Sequence, residues 1–275
     1  HSWAPTGHVA APTAASMLLA GVVMKLGAYG CLRVAMTLFP EGLAAWRDVI
    51  GMLAVTGIVY GALVALVQSD FKFVVGFSSV SHMGFVLLGL ATVTTIGLSG
   101  AVLQMFSHGI LAGLLFGVVG RMVYDREHTR DLDELEQRRL GRMLPFAAVT
   151  FVLAGLASMG LPGFSGFVAE LSVLIGAWQT FPKLAVIAGV GIIIGVAYTL
   201  RAIQKGFYSG GTHALPEVAH DDHRSPPITI PEKVGAVLLI ACTVIVGLYP
   251  RILLDWIVPS FGSSLFDGLR KGAGL

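Results

Sequence analysis

Four ionisable side chains lie near the centres of long apolar stretches of the sequence. Lys25, His82, His108 and Glu170 each belong to a different stretch. An ionisable group inside a membrane span usually faces the interior of a helix bundle or a water path, because exposure to lipid is costly. Groups at similar depth on separate helices can form a row along which a proton moves through intervening water. These residues therefore predict proton exchange, with the four side chains as the relay.

Each of the four also has a structural explanation. A buried histidine such as His82 or His108 can simply bond a neighbouring carbonyl group. Lys25 can pair with a carboxylate, and Glu170 can cap a half-helix. We favour the relay because four such groups occur at one depth. Nearby serines can hold water or satisfy backbone groups, namely Ser78, Ser79, Ser81 and Ser107.

Seven apolar stretches can carry these groups across a bilayer. Hydrophobic residues make up 55% of the chain and charged residues only 12%, and the mean hydropathy is +0.80. A span needs about 20 apolar residues, and its backbone must be satisfied within the segment, so we predict an all-α polytopic membrane protein. The stretches are residues 12–39, 49–68, 73–92, 97–120, 143–181, 184–204 and 234–254.

The fifth stretch, residues 143–181, is too long for one straight span and contains a break. The run Gly160-Leu161-Pro162-Gly163 interrupts it, since proline removes a helix donor and glycine loosens the backbone. The stretch is either two short spans or one traverse by a discontinuous helix. Discontinuous helices mark ion sites near the midplane of transporters.

Basic residues are unevenly distributed between the connections. If the fifth stretch crosses once, Asp70 and the connections 121–142 and 206–233 share one side, which holds most of the connecting arginines and lysines. The positive-inside rule then places loop 121–142 in the cytoplasm. Lys72 is expected at the membrane interface. Arg126 and its charged neighbours are expected to form surface ion pairs or to contact a partner chain.

Other kinds of site have weak support. The connection 206–232 contains His213, His220, Asp221, Asp222 and His223. These lack a helical i, i+4 pair of metal ligands, so a solvated loop is favoured over a metal site. Cys31 and Cys242 form no Cys-x-x-Cys pair and are expected to be inert buried thiols. No ligand pattern for a flavin, iron–sulfur cluster or quinone occurs, so we expect no metal and no cofactor. The net charge of +2 is too small to suggest nucleic acid.

Several motifs, in one order along nearly the whole chain, resemble the NuoM-type antiporter-like membrane subunit of respiratory complex I. They are residues 1–5, 8, 11–13, 19–21, 25–30, 38–41, 78–84, 104–109, 128–131 and 160–170. The resemblance implies fourteen helices with two inverted five-helix repeats. Residues 1–254 would hold helices eight to fourteen, with a broken twelfth helix in the fifth stretch, and residues 255–275 would be a tail.

The resemblance also implies roles for the midplane residues. Lys25 falls on the family's central lysine, His82 and His108 on its relay histidines, and Glu170 on the carboxylate nearest the exit. Protons would pass in that order. A second glutamate and lysine of the family should precede His1, so we expect the N-terminal half of the fold to be missing from this chain.

The function implied is proton translocation in NADH:quinone oxidoreductase, coupled to remote electron transfer. Other membrane subunits, including antiporter-like ones, would be its partners in a bacterial cytoplasmic or organellar inner membrane. An Mrp-type cation/proton antiporter subunit or a membrane subunit of an energy-converting hydrogenase is the alternative, and motifs 38–41 and 128–131 favour complex I. A structural scaffold is the alternative of another class, and it predicts dry, fully paired Lys25 and Glu170.

Overall fold

The computed structural model describes residues 1–138, 140–208 and 226–269, and within them the regular structure is helical. In chain order the helices are α1 (Ala4–Ala10), α2 (Thr13–Leu38), α3 (Pro40–Val67), α4 (Phe71–Thr92), α5 (Thr95–Glu127), α6 (Leu132–Gln137), α7 (Leu140–Met143), α8 (Pro145–Ser158), α9 (Ser165–Thr180), α10 (Pro182–Tyr208), α11 (Ile230–Leu248) and α12 (Arg251–Ser260). By length and composition, α2, α3, α4, α5, α10 and α11 can each cross a membrane. The predicted all-α polytopic class is confirmed.

Helices α4 and α5 form the centre of the bundle. In each, 72% of the most apolar window is buried, against 28% in α2 and 17% in α11. Cys31 on α2 and Cys242 on α11 are free and exposed, so the prediction of buried thiols is wrong. The reason is that an outer helix of a membrane bundle carries an apolar sequence on its exposed face as well.

The fifth apolar stretch folds as two short helices at opposite ends of the bundle. The ring centroids of Phe151 on α8 and Phe71 at the start of α4 are 4.9 Å apart. At the other end of the bundle, a Cβ atom on Gly176 of α9 would lie 2.6 Å from the Cα of Gly97 at the start of α5. The 14 residues of α8 reach only about 21 Å, so α8 and α9 together make one traverse.

The break between α8 and α9 is a glycine-ended helix terminus. Gly160 has a φ of +73° and Gly163 a φ of +102°, in the left-handed region that glycine tolerates. The amide of Leu161 donates to Leu156 O (3.1 Å) and that of Gly160 to Ala157 O (3.4 Å), the pattern of a Schellman motif. The sequence-predicted discontinuity therefore lies where glycine permits it.

We call the end of the bundle that carries Asp70 and Arg130 the charged end. The amide of Phe71 donates to Arg130 O and that of Leu132 to Ser69 O, both at 2.8 Å. Arg130 Nε also lies 3.2 Å from Asp70 Oδ2. These contacts join the α3–α4 connection to the loop between α5 and α6.

Lys72 is buried at the charged end, with 3% of its surface exposed. Its Nζ donates to Ala11 O (3.1 Å), at the end of α1. The carboxylate of Asp70 accepts a hydrogen bond from the Lys72 amide (2.7 Å) and so caps α4. Lys72 is buried because α1 packs over this part of α4, and its position at the membrane interface stays a prediction.

Arg126 forms a buried ion pair instead of the expected surface pair. Its Nη2 lies 2.8 Å from Glu232 Oε2 on α11, and only 5% of its side chain is exposed. Arg126 also donates to Pro226 O (2.7 Å) and Pro227 O (3.0 Å). Arg121 pairs with the other oxygen of Glu232 at 2.8 Å but is 57% exposed. Glu232 therefore links α11 to α5 with one buried and one solvated arginine.

Lys205 joins the end of α10 to α6 through a salt bridge with Asp133 and lies 3.4 Å from Glu136 Oε2. The hydrogen bond from Lys205 lowers the pKa of the Asp133 carboxyl below its usual value. The pair therefore adds stability above the unfolded-state pKa of Asp133, and this contribution is lost as the pH falls through the lowered pKa.

The polar histidine and aspartate cluster and the predicted end of the transmembrane domain both belong to the C-terminal third of the chain. The polar cluster at residues 213–223 lies outside the described residues. Among the described residues, no group of three or more His, Cys, Asp or Glu side chains can hold a metal ion. Helix α12, Arg251–Ser260, runs through position 254, where the sequence placed the end of the transmembrane domain.

Candidate functional site

Glu170 and His82 form a buried contact in the middle of the bundle. Glu170 lies on the second turn of α9, just after the helix break, and His82 lies at the midpoint of α4. Glu170 Oε1 is 3.1 Å from His82 Nδ1, and the two residues are 5% and 8% exposed. Two of the four predicted relay residues are therefore in direct hydrogen-bond contact.

Gln104 on α5 donates to Glu170 and lies close to His82. Its Nε2 lies 3.3 Å from Glu170 Oε1 and 3.4 Å from His82 Nδ1, and the residue is 1% exposed. Gln104 was not predicted as a site residue, although it belongs to the motif 104–109. The available signal was a polar residue four positions before His108, which places both on one face of α5.

The hydrogen-bond partners of His82 indicate which of its two ring nitrogens carries the proton. A carboxylate at Nδ1 accepts the proton of that nitrogen, which leaves Nε2 of the neutral ring to accept from Ser158 Oγ at 3.0 Å. A ring placed between a carboxylate and a hydroxyl can take a proton at one nitrogen and release one from the other. His82 can therefore exchange protons with Glu170 without moving its backbone.

His108 lies next to His82, with ring centroids 5.2 Å apart. Its Nε2 is 3.2 Å from Ser79 Oγ, whereas its Nδ1 is buried and finds no hydrogen-bond partner among the described residues. A cavity of about 10 Å³ adjoins both histidines, Gln104 and Glu170. This volume suits about one water molecule, and a water there would have several polar partners.

Lys25 approaches the group from α2, directly after the π-helical segment Leu19–Val23. Its Nζ donates to Ala20 O, a carbonyl within that segment. Short π-helical insertions are often found at functional sites. A Cβ atom on Gly109 would lie 3.7 Å from Lys25 Cε, so the lysine adjoins α5 beside His108.

The spatial order is therefore Lys25, His108, His82 and Glu170. The expected order placed His82 directly after the lysine. The difference arises because α2 packs against α5 at Gly109, whereas α9 faces α4 at His82. Glu170, His82 and His108 form one contiguous group contributed by α9, α4 and α5, and Lys25 of α2 lies beside α5 at the residue that follows His108.

Two further buried polar side chains border this region. His8 on α1 is fully buried, with its ring stacked on Phe116 at 4.6 Å and its Nε2 3.3 Å from Met24 Sδ. Tyr198 on α10 is also buried, with 5% of its surface exposed. Sequence analysis gave neither a role, because His8 precedes the first long stretch and Tyr198 lies in an ordinary apolar span.

The depth of His82 is fixed by the close packing of α3 against α4. Ser81 Oγ donates to Ile58 O on α3 at 2.9 Å. A Cβ atom on Gly84 would lie 2.7 Å from Ala54 O, so only glycine allows the two helices to approach this closely. The contact holds the turn that carries His82 in a fixed register.

Residues 1–195 match the model of the protein family described as NADH:quinone oxidoreductase/Mrp antiporter, TM. The chain belongs to this family. NADH-quinone oxidoreductase subunit M of Rhodobacter capsulatus is 38% identical over 260 residues, which cover 94% of this chain and 49% of the relative. The sequence-predicted likeness to NuoM-type subunits is thus confirmed. The chain spans about half the length of the curated relatives it matches.

Solved structures share this family fold. A chain of respiratory complex I from Thermus thermophilus with bound NADH has a TM-score of 0.86 and 30% identity, covering 100% of this chain and 55% of the other. A chain of the Mrp complex from a Dietzia species has a TM-score of 0.84 at 23% identity, covering 97% of this chain and 56% of the other. The second likeness concerns the fold alone.

Proposed function

We propose that the chain is part of a proton-translocating membrane subunit of NADH:quinone oxidoreductase. Support comes from its family, from relatives named as subunit M, and from the continuity of its buried polar groups. The decisive observation is the series of contacts from Glu170 through His82 to His108, with Lys25 beside α5 at Gly109. Other membrane subunits of the complex, antiporter-like ones included, are the proposed partners.

Lys25 is the proposed donor to this row. Its proton passes to His108 and then to His82, and a water in the small cavity that both histidines line bridges the two rings. Proton transfer needs donor and acceptor within hydrogen-bond reach or joined by one water. Glu170 takes the proton from His82 and releases it toward the end of the bundle opposite the charged end.

Redox energy released elsewhere in the complex drives this cycle in our proposal. A change of charge near Lys25 alters its tendency to give up a proton, because charges interact strongly at low dielectric. The charged end carries most of the basic residues of the connections, so we assign loop 121–142 to the cytoplasm by the positive-inside rule.

The alternatives have weaker support. The Mrp likeness at 23% identity concerns the fold, whereas the relative at 38% identity carries the NADH-quinone oxidoreductase name. A purely structural scaffold predicts that each buried polar atom is paired. Among the described residues, Gln104 Oε1 and His108 Nδ1 have no hydrogen-bond partner, and both residues adjoin the water-sized cavity.

Glu170→Gln in the assembled complex tests the proposal, since it keeps the side-chain shape and removes the exchangeable proton. Protons pumped per NADH oxidised are measured in sealed vesicles, with Glu41→Gln as the control, because Glu41 is exposed at the start of α3. We expect a lowered stoichiometry only in Glu170→Gln, with normal assembly in both. Wild-type stoichiometry in Glu170→Gln would refute the assignment.

A further inference from the structure

A cavity of about 450 Å³ lies at the charged end, between the start of α8 and the segment that leads into α11. Its walls are mostly apolar and include Met143, Leu144, Phe146, Pro227 and Ile228, with the ammonium group of Lys233 as the charged element. The cavity is remote from the relay and is not used by the proposed proton path.

Lys233 brings a positive charge to this cavity without a carboxylate partner among the described residues. Its Nζ lies 5.9 Å from the centroid of the Phe146 ring, a cation–π distance. The neighbouring carboxylate of Glu232 is already engaged by Arg121, Arg126 and the Thr229 amide. The charge of Lys233 is thus available to a ligand.

The start of α8 adds to the positive potential. The helix begins with Pro145 after Leu144, and no side chain caps its first turn. Uncapped amides and the helix dipole favour an anion at this end. Leu144, Pro145 and Phe146 line the cavity, so the N-terminal end of α8 adjoins it.

The cavity borders the outer surface of the bundle. Val149, three residues after the lining residue Phe146, and Val234, next to Lys233, are 55% and 51% exposed, as expected of side chains that face lipid. Basic pockets between transmembrane helices on the cytoplasmic side commonly bind anionic lipid headgroups. This cavity has both the charge and the apolar walls that such a ligand needs.

We propose that this cavity binds an anionic phospholipid. The phosphate contacts Lys233 and the first turn of α8, and the upper part of one acyl chain packs against Phe146 and Ile228. The ammonium satisfies the phosphate charge, while the apolar walls replace lipid contacts for the chain. A zwitterionic phospholipid carries a second, positive headgroup charge, so Lys233 attracts it less.

The test measures lipid retention by the delipidated complex in detergent. Native mass spectrometry counts bound phosphatidylglycerol and, separately, phosphatidylcholine, in wild type, Lys233→Gln and Lys183→Gln. Lys183 is an exposed lysine at the start of α10, at the opposite end of the bundle, and is the matched control. One interfacial lysine raises the retention of phosphatidylglycerol over phosphatidylcholine about fivefold. We expect only Lys233→Gln to lose this preference.

Two further variants separate the effect of the charge from that of the cavity volume. Lys233→Arg preserves the charge and should retain phosphatidylglycerol, whereas Ile228→Trp fills the apolar wall and should expel it despite an intact lysine. Equal phosphatidylglycerol retention in wild type and Lys233→Gln would overturn the proposal. So would equal binding of phosphatidylcholine, or full retention by Ile228→Trp. Proton stoichiometry stays normal in these variants, so the outcome is separable from the proposed function.

Discussion

His82 Nδ1 and Glu170 Oε1 lie 3.1 Å apart although 88 residues separate them in the chain. The contact joins the middle of an unbroken central helix to the helix that begins after a glycine-ended break. Gln104 lies within hydrogen-bond distance of both. Two other helices therefore hold the carboxylate on the second turn of its own helix, close to the break.

Lys25→Ala should lower proton transport of the assembled complex by at least about tenfold, because a positioned proton donor contributes at least that much. Assembly should be unaffected, since removing a buried ammonium group also removes its desolvation cost. Transport is measured in sealed vesicles and assembly by native gel electrophoresis. Lys183→Ala, at an exposed lysine, is the control, and unchanged transport in Lys25→Ala would remove it from the relay.

Gln104→Leu should reduce proton transport about tenfold without loss of the folded complex. The change keeps most of the volume but removes the amide that donates to Glu170, and a hydrogen bond to a charged group has roughly this value. Transport and thermal melting are both measured, with exposed Gln204→Leu for comparison. Normal transport would show that Glu170 and His82 hold their positions unaided.

Gly160→Ala should destabilise the protein by about 1–2 kcal/mol, because a residue with a Cβ atom is strained at a φ of +73°. The added atom would also lie 3.0 Å from Glu170 Oε2, so transport should fall too. Gly189→Ala is the matched control, since it has open space in a regular helix and should be neutral or stabilising. Melting in detergent distinguishes them, and equal melting temperatures would contradict the strain.

Arg126→Gln should destabilise the fold far more than Arg121→Gln, although both arginines bind Glu232. Arg126→Gln removes the buried charged partner of Glu232 Oε2 and the hydrogen bonds to Pro226 O and Pro227 O, at a cost of about 3 kcal/mol, whereas an exposed pair contributes less than about 1 kcal/mol. Chemical denaturation of the two variants under the same conditions measures the difference. Equal losses of stability would mean that burial of Arg126 does not matter.

Much of the fold could be predicted from sequence because lipid imposes simple rules. Length and apolarity gave the spans, and the glycine–proline run gave the break in the fifth stretch. The same rules named Lys25, His82, His108 and Glu170, since an ionisable group in an apolar stretch stands out whatever surrounds it.

The rest depended on which helices face each other. The position of His108 beside Lys25 follows from the contact of α2 with α5, which no local pattern encodes. Gln104 is uncharged and was overlooked for that reason. The exposure of Cys31 was mispredicted, because apolarity in a membrane protein does not distinguish an inner helix from an outer one.

The backbone link between Phe71 and Arg130 has a mechanical consequence. His82 stands about three turns along the same helix from Phe71. Because a helix is stiff along its axis, a force that a neighbouring subunit applied to residues 128–131 would be transmitted through α4 to the imidazole ring of His82. A small displacement of an external loop would then shift a side chain in the centre of the bundle.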